Sequence, residues 1–240
     1  DVYKRQKIPY SDIPHFPVST VQSHKGELIF GKLHGIPIVA MAGRFHYYEG
    51  YSMKEVTFPI RVLKLLGIEF LVISNAAGGV HPKFSTGDIA LIEDHINLQP
   101  ENPLRGENLD AFGPRFPDMV TPYDEELQQL AFNAANDLNI ELNTAVYVGV
   151  QGPNLETKAE FRYFKIIGAH IVGMSTVPEV IVANHMKLPV LAFSIVTNEG
   201  WAEDRKEANV EEIIQVAEKA SKKLEKLVKH VLQSKFAPFV

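Results

Sequence analysis

The segment EFLVISNAAGG at residues 69–79 decides the fold class, because a short apolar run ends there in alanine and glycine. We predict a strand over 69–76. Along the chain, predicted strands alternate with segments in which apolar residues have helical spacing. Further runs of apolar and β-branched residues mark strands near 27–33, 36–43, 88–96, 144–150, 169–175 and 189–197. This alternation predicts an α/β fold, in which a largely parallel or mixed sheet carries helices on both faces.

The helix signals lie between these strands. Ser52 and Glu55 form the capping-box pattern that begins a helix, Gly67 ends it, and we expect Pro59 to interrupt it. Further helix signals lie at 127–138, at 157–168 and from about 206 into the 230s. Residues 99–122 are rich in proline, glycine, asparagine and arginine without periodicity, which predicts a functional loop.

The composition limits the function classes. The chain has 240 residues, 45% of them hydrophobic, so a single domain over residues 1–240 is the simplest organisation. A formal net charge of -5 without a basic block gives no sign of binding to nucleic acid or to an acidic membrane. No apolar run is long enough to cross a bilayer, and the lack of cysteine fits a reducing compartment. We therefore expect a cytoplasmic protein.

The segment GRFHYYEG at 43–50 offers groups for binding an anion. Arg44 and His46 lie two residues apart and point the same way if the segment is extended, and Tyr48 follows them. A guanidinium fork matches phosphate or carboxylate oxygens, and a histidine can donate to the same anion or carry a proton. The alternative is a loop in which Arg44 pairs with Glu49 and the aromatic rings fill the core.

A second candidate anion site follows strand 169–175. Ser175 lies at the start of a helix, where free amides and the helix dipole favour an anion. The alternative is that Ser175 or Thr176 is only an N-cap. The small residues of SNAAGG at 74–79 allow backbone amides to approach a ligand, or they supply only a tight exit from the strand.

Glu156 and Asn198 are candidates for binding a planar heterocycle, because both follow strands that end at one edge of the sheet. A carboxylate accepts a hydrogen bond from an N–H, and an amide both donates and accepts. Ionised Glu156 would accept from N1–H of a 6-oxopurine and would repel the lone pair on N1 of adenine. The alternative is an exposed glutamate at a helix start and an asparagine in a turn.

Several common motifs are absent. The sequence has no G-x-G-x-x-G, Walker, G-x-S-x-G or H-E-x-x-H pattern, which removes the ordinary dinucleotide, nucleoside triphosphatase, hydrolase and zincin classes. The nine histidines form no close pair at metal-ligand spacing, so we expect no metal site.

Seven ordered motifs together resemble the trimeric purine nucleoside phosphorylases. They are STVQSHKG at 19–26, GRFHYYEGY at 43–51, SNAAGG at 74–79, DHINL at 94–98, NPLRG at 102–106, FGPRFP at 112–117 and GMSTVPEV at 173–180. The resemblance implies the fold of that family, a twisted mixed sheet or distorted barrel flanked by helices. It also implies phosphorolysis of inosine, guanosine and their deoxy forms to a free base and a (deoxy)ribose 1-phosphate in purine salvage, with phosphate as co-substrate and no cofactor.

The same resemblance implies a role for each matching residue. Phosphate would be held by His24, Arg44, His46, Ser175 and the amide of Ala76. Tyr48 and Met174 would lie against the ribose, and Phe116 would reach into the site of a neighbouring subunit of a homotrimer. The base would be surrounded by Ala77, Gly78, Leu155, Glu156, Val172 and Asn198. Asn198, Glu156 and His46 would carry the catalytic interactions.

The sequence departs from the family pattern in two places. Family members have a helix, a strand and a phosphate loop before the segment HFPVST at 15–20, and residues 1–7 match none of these. We therefore expect weak or no activity, or a binding protein that keeps only a purine pocket. A nucleoside hydrolase using water conflicts with the set of candidate phosphate ligands.

Val210 is the second departure, at a position where many family members have a histidine that binds the 5′-hydroxyl of the ribose. Valine cannot donate a hydrogen bond, so tolerance of 5′-modified sugars would follow, as in a methylthioadenosine phosphorylase. Asn198 argues against that activity, because enzymes for 6-aminopurines tend to have aspartate there. The simpler alternative is that Val210 lies on the buried face of the last helix.

Overall fold

The structure is a computed structural model that describes residues 2–20, 25–202 and 209–237. Each of the seven predicted strands is present, together with an additional strand at the start of the chain. The strands are β1 (Val2–Pro9), β2 (Glu27–Leu33), β3 (Ile36–Ala42), β4 (Leu71–Gly79), β5 (Ile89–Asn97), β6 (Asn143–Gly149), β7 (Ile171–Gly173) and β8 (Val190–Glu199). The helices are α1 (Met53–Leu65), α2 (Glu125–Asp137), α3 (Lys158–Ile166), α4 (Val177–His185) and α5 (Val210–Lys235).

Five strands close into a mixed barrel with the order β4-β7-β6-β5-β8. The pairs β4–β8, β5–β6 and β6–β7 are parallel, whereas β4–β7 and β5–β8 are antiparallel. Helices cover the barrel on several sides, and one buried cluster joins β5 and β8 to Leu127 of α2 and to Leu224 and Leu227 of α5. The predicted α/β architecture with a mixed, barrel-like sheet is confirmed.

A separate antiparallel sheet has the order β1-β2-β3. Strand β1 pairs with β2 and places Gln6 opposite Phe30. The sequence of β1 is mostly polar and basic, which is why its hydrophobic pattern gave no strand signal.

Helix α1 begins as the sequence predicts. Ser52 donates its backbone N–H to Glu55 Oε2 at 2.8 Å, and its hydroxyl accepts from the N–H of Glu55 at 3.3 Å. The predicted interruption at Pro59 is wrong, since α1 runs unbroken through it. Proline removes one backbone hydrogen bond, and burial of Pro59 beside Ile60 and Leu63 against the core offsets that loss.

Helix α5 packs on the barrel only from its third turn onward. The buried residues of α5 begin at Ala220, whereas Val210 is 63% exposed at the first position of the helix. The predicted burial of Val210 is therefore wrong. The apolar stripe of α5 begins at Val210, but only the part of the helix from Ala220 onward is buried.

The connection from β5 to α2 contains no helix or strand over residues 98–124, all of which the structure describes. None of the helices in the described parts of the chain has the length and apolar content that crossing a bilayer requires.

His170 joins three strands of the barrel. Its backbone N–H donates to the carbonyl of Val146, its own carbonyl accepts from Val80, and its ring Nδ1 accepts the N–H of Val146 at 2.9 Å. Burial lowers the pKa of His170, and the neighbouring His81 and Lys83 lower it further, while Glu93 opposes them. The neutral ring is therefore the form that the fold favours.

Stability should consequently fall as the pH drops below about 6.5, the ordinary pKa of histidine, because the unfolded chain then binds the proton before the folded chain does. The fall should continue until the pH passes the lowered pKa of folded His170. We expect the urea unfolding midpoint to be lower at pH 5.5 than at pH 7.5. In His170→Asn, an amide oxygen can accept the Val146 N–H without titrating, so this difference should shrink. An equal pH dependence in both proteins would contradict the role of His170.

Candidate active site

A β-bulge sets the orientation of Asn198 near the end of β8. Ala77 of β4 pairs with Val196, but the next residue, Gly78, pairs with Asn198, so Thr197 is an extra residue on β8. The hydroxyl of Thr197 lies 3.3 Å from the carbonyl of Ala77 and 3.2 Å from Oδ1 of Asn198. The bulge therefore turns the Asn198 side chain toward β4 and is itself held by side-chain hydrogen bonds.

The predicted base-binding residues of three strands meet at Gly78. Gly78 pairs with Val172 on one side and with Asn198 on the other. A β-carbon at position 78 would lie 3.2 Å from Cγ1 of Val172 and 3.4 Å from Nδ2 of Asn198. We call Ala77, Gly78, Val172 and Asn198 the base cluster.

The predicted ribose residues Tyr48 and Met174 also come together. A β-carbon at Gly152 would lie 3.2 Å from Cδ1 of Tyr48 and 3.2 Å from Cγ of Met174. Gly152 has a φ of +71°, so its close approach and its backbone both favour glycine. We call Tyr48 and Met174 the sugar cluster.

Leu155 and Glu156 lie in the connection from β6 to α3, shortly after Gly152. Leu155 is 46% exposed, and Glu156 is half-buried. The connection therefore crosses the sugar cluster before it reaches these two residues.

Arg44 forms a buried ion pair with Glu179 of α4. Its Nη1 donates to Glu179 Oε2 at 2.8 Å, and its Nη2 donates to the carbonyl of Ser74. The side chains of Arg44 and Glu179 are 19% and 10% exposed. The alternative in which Arg44 pairs with Glu49 is wrong, because the carboxylate that pairs with Arg44 is that of Glu179.

Glu49 instead holds His46. Its carboxylate accepts from the backbone N–H of His46 at 2.8 Å, and His46 Nδ1 lies 3.1 Å from it. Burial would raise the pKa of Glu49, but hydrogen bonds from Thr20 and His46 lower it below its ordinary value. The His46 ring also stacks on Tyr48 with a centroid distance of 4.7 Å, which connects the predicted anion-binding segment at 43–50 to the sugar cluster.

Ser175 precedes a tight turn at the start of α4. Thr176 is the N-cap residue of α4, and its N–H donates to Glu179 Oε2 at 3.0 Å. That oxygen also accepts from Arg44, so one carboxylate connects the two predicted anion-binding segments. The backbone N–H of Ser175 donates to the hydroxyl of Tyr147 at 3.2 Å.

Tyr147 is fully buried beneath this turn. Burial raises its pKa to about 12, while the contacts with Ser175 and Arg44 act in the opposite direction. The phenol therefore stays neutral at physiological pH. Its hydroxyl also lies where a β-carbon on Gly173 would have to go.

Asn75, Tyr147 and Glu179 have structural roles at the site that the sequence did not reveal. Asn75 and Glu179 lie inside the motifs SNAAGG and GMSTVPEV, but their partners are distant in the chain. A small cavity borders the same turn and is lined by Phe45, Tyr47, Met53, Val56, Gln99, Met174, Ser175, Thr176, Pro178 and Glu179.

The remaining predicted residues lie around these clusters. Ala76 is an exposed residue of β4, and Phe116 is 88% exposed on the connection between β5 and α2. The guanidinium of Arg115 lies 5.8 Å from the Phe116 ring centroid and donates to the carbonyls of Leu104 and Gly106. His24 lies outside the described residues.

Comparisons with known proteins decide the family. The family model described as the phosphorylase superfamily matches residues 2–233. The chain is 50% identical over 226 residues to purine nucleoside phosphorylase 1 of Bacillus subtilis (strain 168), which covers 94% of this chain and 83% of the relative. The chain belongs to the purine nucleoside phosphorylase family. It is also 50% identical over 236 residues to the family member from Mus musculus, covering 95% of this chain and 82% of that protein.

Solved structures of the family match the fold. A crystal structure of isoform 2 of the Schistosoma mansoni family member, in complex with cytosine and ribose-1-phosphate, has a TM-score of 0.93 at 43% identity. The match covers 100% of this chain and 86% of that one. A schistosoma family member in complex with hypoxanthine has a TM-score of 0.91 at 40% identity, with 99% and 86% covered. The predicted family and fold are confirmed.

Removal of the shared carboxylate should destabilise the protein. In Glu179→Ala, both Arg44 and the N–H of Thr176 lose a buried acceptor, so we expect the free energy of unfolding to fall by about 3–5 kcal/mol. Urea unfolding at neutral pH measures the change. The matched control is Glu225→Ala, which removes an exposed ion pair with Lys229 on α5 and should cost less than about 1 kcal/mol. Equal effects of the two substitutions would contradict the buried role of Glu179.

Proposed function

We propose that the chain catalyses the phosphorolysis of 6-oxopurine ribonucleosides and deoxyribonucleosides, such as inosine and guanosine. The products are the free base and ribose 1-phosphate or deoxyribose 1-phosphate. The observation that carries this proposal is the order of three groups of residues. Val172 of the base cluster, Met174 of the sugar cluster, Ser175 and Thr176 follow one another within residues 172–176, and Glu179 connects Thr176 to Arg44.

The ligands of two solved relatives support the proposed substrates. One schistosome structure contains a base together with ribose-1-phosphate, and another contains hypoxanthine. Both structures match this chain over nearly its whole length. A 6-oxopurine base and a phosphorylated pentose are therefore the natural occupants to assign to the base cluster and the sugar cluster of this chain.

In this proposal, phosphate is held by the groups near the start of α4. Arg44 supplies a guanidinium already fixed by Glu179, and Ser175 supplies a hydroxyl at the amino end of a helix. Such a helix end favours an anion, and a fixed guanidinium loses little side-chain entropy on binding. His46, His24 and the amide of Ala76 complete the proposed phosphate set.

The chemistry follows from the charges that develop. Phosphate attacks the anomeric carbon as the bond from that carbon to the purine nitrogen breaks, so positive charge grows on the sugar and negative charge grows on the base. The bound phosphate stabilises the sugar cation. Asn198 donates to N7 of the purine, and Glu156 accepts from N1–H, as electrons move into the ring. No cofactor or metal takes part in this proposal.

We further propose a cytoplasmic homotrimer in which Phe116 covers the sugar of a neighbouring subunit. The support is the 88% exposure of the Phe116 side chain. The residue before it, Arg115, is held in place because its guanidinium donates to two backbone carbonyls. An exposed aromatic ring on an anchored loop is suited to contact a second chain.

The direct test is release of hypoxanthine from inosine with and without phosphate. We expect release only with phosphate, and rejection of adenosine by up to roughly 10⁴–10⁵ in kcat/KM, because its N1 offers no proton to Glu156. Release that is independent of phosphate would support a hydrolase instead. Binding of hypoxanthine without turnover would support a purine-binding protein. Preference for methylthioadenosine would support the alternative activity of a methylthioadenosine phosphorylase.

Asn198 gives a sharper test of the base site. In Asn198→Ala, we expect kcat for inosine to fall by about 10²–10³, because one donor aimed at the developing charge is lost. The matched control is Asn133→Ala on the exposed face of α2, which should leave kcat unchanged. A near-normal kcat in Asn198→Ala would refute its assignment.

A further inference from the structure

Thr176 adopts a backbone conformation that is rare for a residue with a side chain. Its φ is +70° and its ψ is -58°, and the N–H of Val177 donates to the carbonyl of Ser175 at 2.8 Å. This is a γ-turn with positive φ, which is strained for a β-branched residue. Thr176 is also fully buried, so the surrounding structure has to hold the turn in place.

A chain of side-chain hydrogen bonds from the barrel wall reaches this turn. Asn75 on β4 and Ser194 on β8 are paired in the sheet. The Ser194 hydroxyl donates to Asn75 Oδ1 at 2.7 Å, and Asn75 Nδ2 donates to Thr176 Oγ1 at 2.8 Å. Ser194 is fully buried, which fixes one end of the chain of hydrogen bonds.

Thr176 connects these hydrogen bonds to Ser175. Thr176 Oγ1 accepts from Asn75 and lies 3.3 Å from Ser175 Oγ, a contact in which either hydroxyl can be the donor. When the Thr176 proton points to Ser175 Oγ, the Ser175 proton is left for another acceptor, such as an oxygen of a bound anion.

The backbone of the turn is held from the opposite side. The N–H of Thr176 donates to Glu179 Oε2, the oxygen that also accepts from Arg44. A rotation of the turn would therefore move Ser175 and disturb the support of Arg44 at the same time. Asn75 is the side-chain contact that joins the Thr176 hydroxyl to the barrel wall.

We propose that Asn75, supported by Ser194, is a positioning residue for phosphate. It holds Thr176 in the γ-turn and thereby orients the Ser175 hydroxyl toward the anion. The inference rests on the proposed function, in which Ser175 binds phosphate. It assigns to Asn75 an effect on phosphate and not on the nucleoside.

The test is steady-state kinetics of Asn75→Ala with both substrates varied. We expect the KM for phosphate to rise by about 10–100-fold, the effect of weakening a hydrogen bond to a charged group. The KM for inosine should change by less than about threefold, because the base cluster is untouched. An unchanged KM for phosphate, or an equal rise in both KM values, would overturn the proposal. Asn133→Ala serves again as the control.

Substitutions at Thr176 test whether Asn75 acts through the Thr176 hydroxyl. Thr176→Val keeps the shape and removes the oxygen, so it should reproduce the rise in the KM for phosphate. Thr176→Ser keeps the oxygen and should recover most of the affinity that the valine variant loses. The double variant Asn75→Ala with Thr176→Val should be no worse than the poorer single variant, since both break one contact. Additive effects of the two substitutions on the KM for phosphate would overturn the proposal that Asn75 acts through Thr176. If Asn75→Ala fails to fold, the valine and serine variants decide by the same KM values.

A structural measurement separates this inference from the proposed function. If the wild-type chain shows no phosphate-dependent release of base, the proposed function fails, whereas the conformation of Thr176 can still be determined. We expect a crystal structure of Asn75→Ala to show Thr176 outside the region of positive φ, and calorimetry to show weaker binding of inorganic phosphate. A turn that keeps its φ near +70° with unchanged phosphate binding would overturn the role of Asn75.

Discussion

The side of the site that we propose binds phosphate, the anion side, depends on a single buried carboxylate. Glu179 accepts from the guanidinium of Arg44 and from the backbone N–H of Thr176, two residues that are far apart in the chain. Desolvation of such a carboxylate is costly unless it is fully paired, so both donors have to stay in place. The geometry of the anion side therefore follows from the pairing of Glu179. Arg44 cannot shift without leaving the buried Glu179 carboxylate without its cation, and the turn before α4 cannot relax without losing the acceptor of the Thr176 N–H.

The other side of the site depends on backbone pairing. Three strands meet at Gly78, and the extra residue at Thr197 places Asn198 against that glycine. A strand of even alternation would turn the side chain at 198 to the opposite face of the sheet. The side of the site that we propose binds the base is thus fixed by the register of the barrel strands, whereas the anion side is formed by side-chain contacts. The ring stack of His46 on Tyr48 joins the two.

Local signals predicted much of the fold. The bounds of β2, the capping box of α1 and the order of the strands and helices after β1 all follow from residues close together in the sequence. The site residues that sequence reasoning missed have partners far away, since Arg44 and Glu179 are 135 positions apart and Asn75 and Thr176 are 101 apart. The errors have the same origin. Tertiary packing keeps α1 intact through Pro59, and the first turns of α5 extend past the surface that would cover Val210.

The contact between Tyr147 and Gly173 limits how this family member can vary. The phenol hydroxyl occupies the space of a side chain at 173 while it accepts the N–H of Ser175. A larger residue at 173 would displace the ring, and a smaller ring at 147 would leave a cavity and an amide without its acceptor. Replacements at these two positions are therefore tolerable only as a matched pair, so two distant sites in the chain share one evolutionary constraint.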